Sequence, residues 1–110
     1  MIRMTYKRLA DSGITHFSLS GHADFAEHGK DIVCSAVTAV TFGTVNAIET
    51  LLNTKLEVEM DEKGGFLRCT IPPSLDEGTH EKVQLLLESM LLTLQSIASE
   101  YGQYIKITQK

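Results

Sequence analysis

The sequence predicts an α+β domain in which a mostly antiparallel sheet is covered on one face by two long helices. Three observations lead to this prediction. Short stretches of alternating apolar and polar residues come in pairs, which is typical of β-hairpins. Two longer stretches repeat apolar residues every three or four positions, as amphipathic helices do. Because these helices are apolar on one side only, we expect both to pack on the same face of the sheet.

The first hairpin is predicted from the segments MIRMTYKR and ITHFSLSG, which are joined by a turn at residues 11–13. The second is predicted from LEVEM and FLRCTI, and it ends at Pro72 because proline cannot donate to a sheet ladder. The segment YIKIT is predicted to be a last strand. The order of elements is then β-β-α-β-β-α-β, whereas the order of strands within the sheet does not follow from the sequence.

The first helix is predicted to begin at Asp31, whose carboxylate would act as N-cap for the first-turn amides. Its apolar stripe comprises Val33, Val37, Val40, Thr44, Ile48, Leu51 and Leu52. The second helix is predicted to begin near Thr79 and to carry a stripe of large apolar residues from Val83 to Tyr101.

Length and composition indicate one globular domain over residues 1–110. The hydrophobic fraction of 43% and the charged fraction of 22% are ordinary for a soluble protein. We expect no membrane span, because we count no run of about 20 apolar residues. The N-terminus lacks the continuous apolar run of a secretory signal. These features favour a cytoplasmic protein, in which Cys34 and Cys69 would stay reduced.

The charge balance disfavours direct contact with nucleic acid. Ten Lys and Arg stand against fourteen Asp and Glu, so the formal net charge is -4. Nucleic-acid binding draws much of its affinity from neutralised phosphates and favours a basic face. The basic clusters lie near the two ends of the chain, and a solvated sheet edge is the simpler interpretation. They comprise Arg3, Lys7 and Arg8, then Lys106 and Lys110.

Candidate functional residues concentrate in SLSGHADFAEHGKDIVCSAVT, between the second strand and the first helix. If Asp31 is the cap, Cys34 lies in the first helical turn, where the helix dipole stabilises a thiolate. His22 follows Gly21 and would approach Cys34 if the loop folds back. A Cys–His pair is the minimum for thiol nucleophilic catalysis. Packing of Cys34 as a small hydrophobe and a surface position for His22 remain open alternatives.

Other residues of this segment allow a metal site. His22, Asp24, His28, Asp31 and Cys34 are ligand types for zinc or iron. No two of them have the helical spacing of a His-x-x-x-His site, so this alternative is weaker, and no metal or cofactor is expected. Asp31 is sufficient as a cap and is a candidate to orient His22. The remaining histidines and the second cysteine are expected to be bystanders: His16 and His80 exposed, and Cys69 in the core.

The segment GHADFAEHGKDIVCSAVTAVTFGTVNAI closely resembles the ribosomal-processing cysteine proteases called Prp. The matching motifs are Gly21-His22-Ala23, Gly29, Asp31-Ile32-Val33-Cys34 and the FG-x-VNAI run from Phe42 to Ile48. The resemblance covers essentially the whole chain, including the order of elements. Ser35 and Thr38 stand where many relatives carry Ala or Gly and then Ser, which leaves fine substrate preference open.

The resemblance implies a metal-free cysteine endopeptidase with Cys34 as nucleophile, His22 as general base and Asp31 as possible support. Such enzymes remove a short N-terminal extension from a large-subunit ribosomal protein, after a hydrophobic stretch that ends in aromatic residues. The resemblance also implies a homodimer. The acidic net charge suits a basic ribosomal-protein substrate. The alternative from another class is a non-enzymatic ribosome-associated or protein-binding module, in which the loop is a recognition element.

Overall fold

In a computed structural model of the chain, two helices pack against one five-stranded sheet. The structure describes residues 1–10, 12–21, 28–61 and 65–110, and the side chains of these residues except those of 28–31. The elements are β1 (Ile2–Leu9), β2 (Gly13–Ser20), α1 (His28–Leu51), β3 (Glu57–Met60), β4 (Phe66–Thr70), α2 (Glu77–Glu100) and β5 (Ile105–Gln109). This is the predicted α+β class and the predicted element order.

The sheet has the strand order β3-β4-β2-β1-β5. The pairs β1–β2, β2–β4 and β3–β4 are antiparallel. The edge strand β5 pairs parallel to β1. The two predicted hairpins are therefore joined through β2 and β4, whose register places Ser20 beside Phe66. As a result, the end of β2 and the start of β4 lie at the same corner of the sheet.

The core lies between the sheet and the two helices. Phe17 of β2, Leu87 and Leu94 of α2 and Ile48 of α1 are fully buried in it. Alternate strand residues face the core, while the other sheet face is polar, as expected for an antiparallel sheet that is covered on one side. Burying one large apolar side chain contributes about 2 kcal/mol, so the interlayer contacts dominate the stability.

The polar side chains of α2 fasten this helix to the first hairpin. The Gln84 side chain accepts from the backbone N–H of Ile14 at 2.8 Å and donates to the carbonyl of the same residue at 2.9 Å. The Nε2 atom of His80 lies 2.9 Å from the Ser12 carbonyl, to which its N–H donates. The prediction that His16 and His80 are exposed is wrong, since both are half-buried.

Helix α1 begins at His28, three residues before the predicted start. Asp31 therefore lies inside the helix, and its assignment as N-cap is wrong. Gly29 and Asp31 are poor helix formers. Extending a helix by one residue costs far less free energy than nucleating a helix, so the helical hydrogen bonds continue through both residues. The side chain of Asp31 lies outside the described residues. Helix α2 begins at Glu77, and its N-cap is Asp76, whose side chain accepts from the Thr79 amide at 3.1 Å.

The sequence of α1 is more apolar than we expected. Its segment Ile32–Leu51 has a mean hydropathy of 1.5 and is long enough to cross a membrane by length and composition. The expectation that no stretch reaches this limit was therefore wrong. The core accounts for part of this composition, because Val33, Val37, Val45 and Ile48 are buried in it. Core helices and membrane spans share this composition, so it does not by itself indicate a membrane protein.

Candidate active site

A cavity of about 270 Å³ opens between the N-terminal half of α1 and one corner of the sheet. The helix lines it with residues three or four positions apart, which share one helical face: Cys34, Val37, Thr38 and Phe42. The sheet lines it with the ends of its strands and with the residues that follow β3 and precede β4: Ile2, Leu19, Gly21, Met60, Asp61, Gly65, Phe66 and Leu67. The lining is mainly apolar, so the Cys34 thiol faces a site suited to an apolar side chain.

Cys34 is a free, half-buried thiol that packs against the edge of the hydrophobic core. Because α1 begins at His28, Cys34 lies in the second helical turn and not in the first. The prediction that it stands among unpaired first-turn amides is therefore wrong. In this helix the backbone N–H of residue 34 is directed at the carbonyl of residue 30. The effect of the helix dipole also weakens beyond the first turn.

His22, the predicted general base, lies outside the described residues, as do Asp24 and the side chains of His28 and Asp31. The residue directly before His22 is Gly21, and Gly21 lines the same cavity as Cys34. His22 follows Gly21 directly in the sequence, so the predicted base is covalently bonded to a residue of the cavity wall. The described part of the chain contains no cluster of three or more potential metal ligands.

Several cavity residues escaped the sequence analysis. Met60, Gly65 and Phe66 reach the site because β2 pairs with β4, and strand order could not be predicted. Thr38 was noted only as a difference from relatives, yet it lines the cavity one helical turn after Cys34. Ser35, the other difference, is exposed. The helical spacing from Cys34 to Thr38 and Phe42 was the signal that could have identified this wall.

A second, open groove of about 810 Å³ adjoins the cavity along β3. Phe42, Met60 and Leu67 line both spaces, so the two are continuous. Three carboxylates border the groove, from Glu49, Glu57 and Glu59, together with Lys55. The groove therefore carries more acidic than basic side chains.

The two cysteines differ sharply in their surroundings. Cys69 is fully buried in β4, and burial, with a smaller contribution from the charge of Glu49, raises the pKa of its thiol to about 12. At pH 7 such a thiol is thiolate in on the order of one molecule in 100,000. Cys69 is thus the predicted core residue and not a candidate nucleophile.

Iodoacetamide at pH 7 is therefore expected to alkylate Cys34 at least about 100-fold faster than Cys69. The reason is that only Cys34 borders an open cavity, and the thiolate is the species that reacts. Peptide mass mapping of samples quenched at successive times measures both rates. Equal, slow labelling of the two thiols would contradict this assignment.

Gly21 is expected to tolerate no side chain. Its φ of +86° lies in the left-handed region, and an added Cβ would collide with the carbonyl oxygen of Met1. Its N–H also donates to the Gly65 carbonyl at 2.9 Å, which joins the end of β2 to the residue before β4 within the sheet wall of the cavity. The substitution Gly21→Ala should therefore destabilise the fold by about 2 kcal/mol and reduce peptide cleavage, because it displaces the backbone that leads into residue 22.

Gly43→Ala is the matched control for this substitution. Gly43 lies inside α1, and an added Cβ there meets no atom within 4 Å. Alanine favours the helix over glycine by about 1 kcal/mol, so this variant should gain stability. Urea unfolding monitored by circular dichroism compares the two midpoints. A shift in the same direction for both variants would refute the role assigned to Gly21.

Comparison with known proteins identifies the family. Residues 1–106 match the family described as cysteine protease Prp. The chain is 43% identical over 108 residues to the ribosomal processing cysteine protease Prp of Bacillus subtilis, covering 98% of this chain and 96% of that protein. Two crystal structures of the essential ribosomal processing protease Prp from S. aureus superpose on this chain, with TM-scores of 0.84 and 0.86. The first is a complex with a substrate peptide, and the second is a complex with a covalently linked product peptide. Both are 34% identical, and each pair covers 100% of both chains.

These matches extend over both walls of the cavity and confirm the resemblance on which the prediction of an enzyme was based. The alternative of a non-enzymatic module loses its support, since the whole chain falls within one group of proteases. A free, accessible thiol in an apolar cavity is the chemical feature that such an enzyme requires. The chain belongs to the cysteine protease Prp family.

Proposed function

We propose that this protein removes the N-terminal extension of a large-subunit ribosomal protein, using Cys34 as nucleophile and His22 as general base. One observation carries the assignment of residues: Cys34 and Gly21 line the same cavity, and His22 is bonded directly to Gly21. The relatives named as ribosomal processing cysteine proteases support the reaction class. They also support ribosomal protein as the substrate class.

The proposed chemistry is peptide hydrolysis in two steps. His22 takes the proton from the Cys34 thiol, and the sulfur attacks the carbonyl carbon of the scissile bond. The C–N bond breaks as the leaving amine receives the proton from His22, which leaves a thioester on Cys34. Water, deprotonated by His22, then hydrolyses the thioester and restores the thiol. The covalently linked product peptide of the S. aureus relative agrees with such an intermediate.

The described cavity fits the proposed cut after a hydrophobic, aromatic-ending stretch. Its volume of about 270 Å³ and its lining by Val37, Phe42 and Phe66 suit an aromatic side chain next to Cys34. The adjoining groove offers Glu49, Glu57 and Glu59 to basic residues of the same substrate. Ribosomal proteins are rich in such residues, so charge complementarity favours this class of substrate.

Three further features belong to the same proposal. We place the enzyme in the cytoplasm, where Cys34 stays reduced. Asp31, within α1, would support His22. A homodimer is proposed because Leu85 and Leu92 are 71% and 66% exposed and lie seven residues apart on one face of α2. Light scattering during gel filtration tests this last point, with an expected mass of twice the 12.1 kDa of one chain.

The experiment that tests the function is intact-mass analysis of an extended ribosomal protein incubated with the enzyme. We expect the wild type to shorten the substrate by one N-terminal segment, and His22→Ala to slow this reaction about 100-fold or more. An unchanged substrate mass with folded wild-type enzyme would refute the function. Full activity of His22→Ala would refute the proposed base.

A further inference from the structure

We propose that the uncovered face of the sheet, at β1 and β5, is a docking surface for the phosphate backbone of RNA. Four exposed cations form this surface, which we call the basic face: Arg3, Lys7, Lys106 and Lys110. They come from opposite ends of the sequence, and the fold brings them together. The basic face lies on the side of the sheet opposite the helices, whereas Cys34 lies on α1, on the helical side.

Strand pairing places these cations next to one another. In the parallel register of β1 and β5, Arg3 is the partner of Lys106. The pairing continues past the end of β5, where the Lys110 N–H donates to the Tyr6 carbonyl at 2.8 Å. Lys110 therefore lies beside Lys7. Neighbouring strands are about 4.8 Å apart, and residues two apart on a strand are about 6.7 Å apart, so the four charges share a compact area.

The alternation of burial shows which way these side chains point. Ile2, Met4 and Tyr6 of β1 and Ile105 of β5 are buried under the helices. Arg3, Lys7 and Lys106 occupy the alternate positions and are exposed. Arg8 differs because it follows an irregularity in the β1–β2 register, and its Nη1 lies 2.8 Å from Glu88 of α2. Arg8 is thus neutralised and is not part of the basic face.

Charge on this part of the sheet is segregated from the rest of the chain. β1, β2 and β5 contain no Asp or Glu, although the whole sequence has fourteen. Among the described residues, none of the four cations forms an ion pair. Burial lowers the pKa of His16 on the adjacent strand, and the positive charges of Arg68, Lys7 and Lys110 lower it further. This effect agrees with a concentration of unneutralised cations on this side of the molecule.

The rest of the surface suits phosphate contacts and not base readout. Hydroxyl groups on the outward positions of these strands can donate to phosphate oxygens. On this face, β1, β2 and β5 present no aromatic ring on which a base could stack. The outward hydroxyl residues are Ser20 and Thr108, together with Thr5 and Ser18, whose hydroxyls hydrogen-bond to each other at 2.6 Å so that one of the two is left to donate. We therefore expect binding without sequence preference and with a strong dependence on salt.

The choice of RNA as the occupant rests on the proposed function, because a ribosomal protein is a protein that binds RNA, and on the charge complementarity between four exposed cations and a phosphate backbone. A second copy of this chain fits the surface poorly, since it would bring like charges together. The net charge of -4 led us to expect no nucleic-acid contact. Net charge conceals this surface because the acidic residues lie on other parts of the chain.

The test is fluorescence anisotropy with a labelled, unstructured 30-nucleotide RNA and the intact protein. Four phosphate contacts predict a slope of about -3 for log K against log salt, or roughly a 50-fold loss of affinity from 50 to 200 mM. The double variant R3E/K106E should bind at least tenfold more weakly and with about half this slope. The variant K55E/K82E changes the net charge equally at exposed sites away from the basic face, so it should retain the wild-type slope.

Other outcomes would overturn the inference. The first is that the wild type does not bind RNA at 50 mM salt. The second is that both double variants weaken RNA binding equally. The third is a changed oligomeric mass for R3E/K106E, which would make this face a subunit interface. Binding to anionic lipid vesicles without binding to RNA would also overturn it. Cleavage of a short peptide should be unchanged in R3E/K106E. If the wild type does not cleave the peptide, the proposed protease substrate is refuted. The anisotropy measurement does not depend on cleavage, so its result still decides whether the basic face binds RNA.

Discussion

Replacing Cys34 with alanine is expected to abolish peptide cleavage, with a loss of at least about 1,000-fold in kcat/KM. The thiol is the group that would form the covalent bond to substrate. Among the described residues that line the cavity, Thr38 is the only other one with a hydroxyl or thiol side chain. A threonine hydroxyl without a positioned base is a far weaker nucleophile than a thiolate. Single-turnover assays with a peptide substrate measure the loss at the chemical step.

Cys69→Ala is the matched control, because it also removes a thiol. Cys69 is buried in β4 and separated from solvent, so its replacement should lower stability moderately but leave cleavage close to the wild-type rate below the melting temperature. Circular dichroism melts establish that both variants are folded. Undiminished cleavage by purified Cys34→Ala would contradict the assignment of the nucleophile.

The largest effect on stability is expected from Phe17→Ala. Phe17 is 0% exposed and lies on β2, the central strand, where Tyr6 and Cys69 are its neighbours across the sheet. Removing a buried phenyl ring leaves a cavity and typically costs about 3–5 kcal/mol. That is a large part of the roughly 5–15 kcal/mol that stabilises an ordinary domain. We expect a fall in Tm on the order of 15 °C by calorimetry.

Phe66→Ala is the matched control for Phe17→Ala, because it also removes a phenyl ring but from a more exposed position. Phe66 is 41% exposed at the start of β4, so its truncation should cost about 1 kcal/mol. A substrate-binding defect is the larger effect expected of this variant, because Phe66 lines the cavity. Equal destabilisation by the two substitutions would mean that the core is not centred on β2 as described.

Much of the fold could be predicted because its elements have distinct periodicities. The alternation of Leu67, Cys69 and Ile71 predicted the inward face of β4, and all three are buried. The stripe of α1 was predicted less accurately. Leu51 was placed on the apolar face but is 74% exposed, while Thr41 is 1% exposed although it is polar. Hydrophobicity identifies a helical face only approximately when small and β-branched residues predominate around the whole helix.

The sheet order and the second wall of the cavity could not be predicted, because they depend on pairing between distant segments. Nothing in the local pattern indicates that β5 pairs with β1, or that Phe66 lies beside Ser20. The two ends of the chain therefore looked like unrelated basic clusters, whereas the fold joins them in the basic face. Cys34 could be singled out because thiol chemistry needs few partners, and the resemblance rested on the motifs Gly21-His22-Ala23 and Asp31-Ile32-Val33-Cys34 taken together.

The central claim is that the sulfur of Cys34 attacks the substrate carbonyl. The most direct measurement uses a chloromethyl ketone of the peptide that precedes the cut, followed by proteolysis and tandem mass spectrometry of the inactivated enzyme. We expect one adduct, on Cys34, which forms at least about 100-fold more slowly in His22→Ala. Complete inactivation with Cys34 unmodified, or an adduct carried by Cys69, would contradict it.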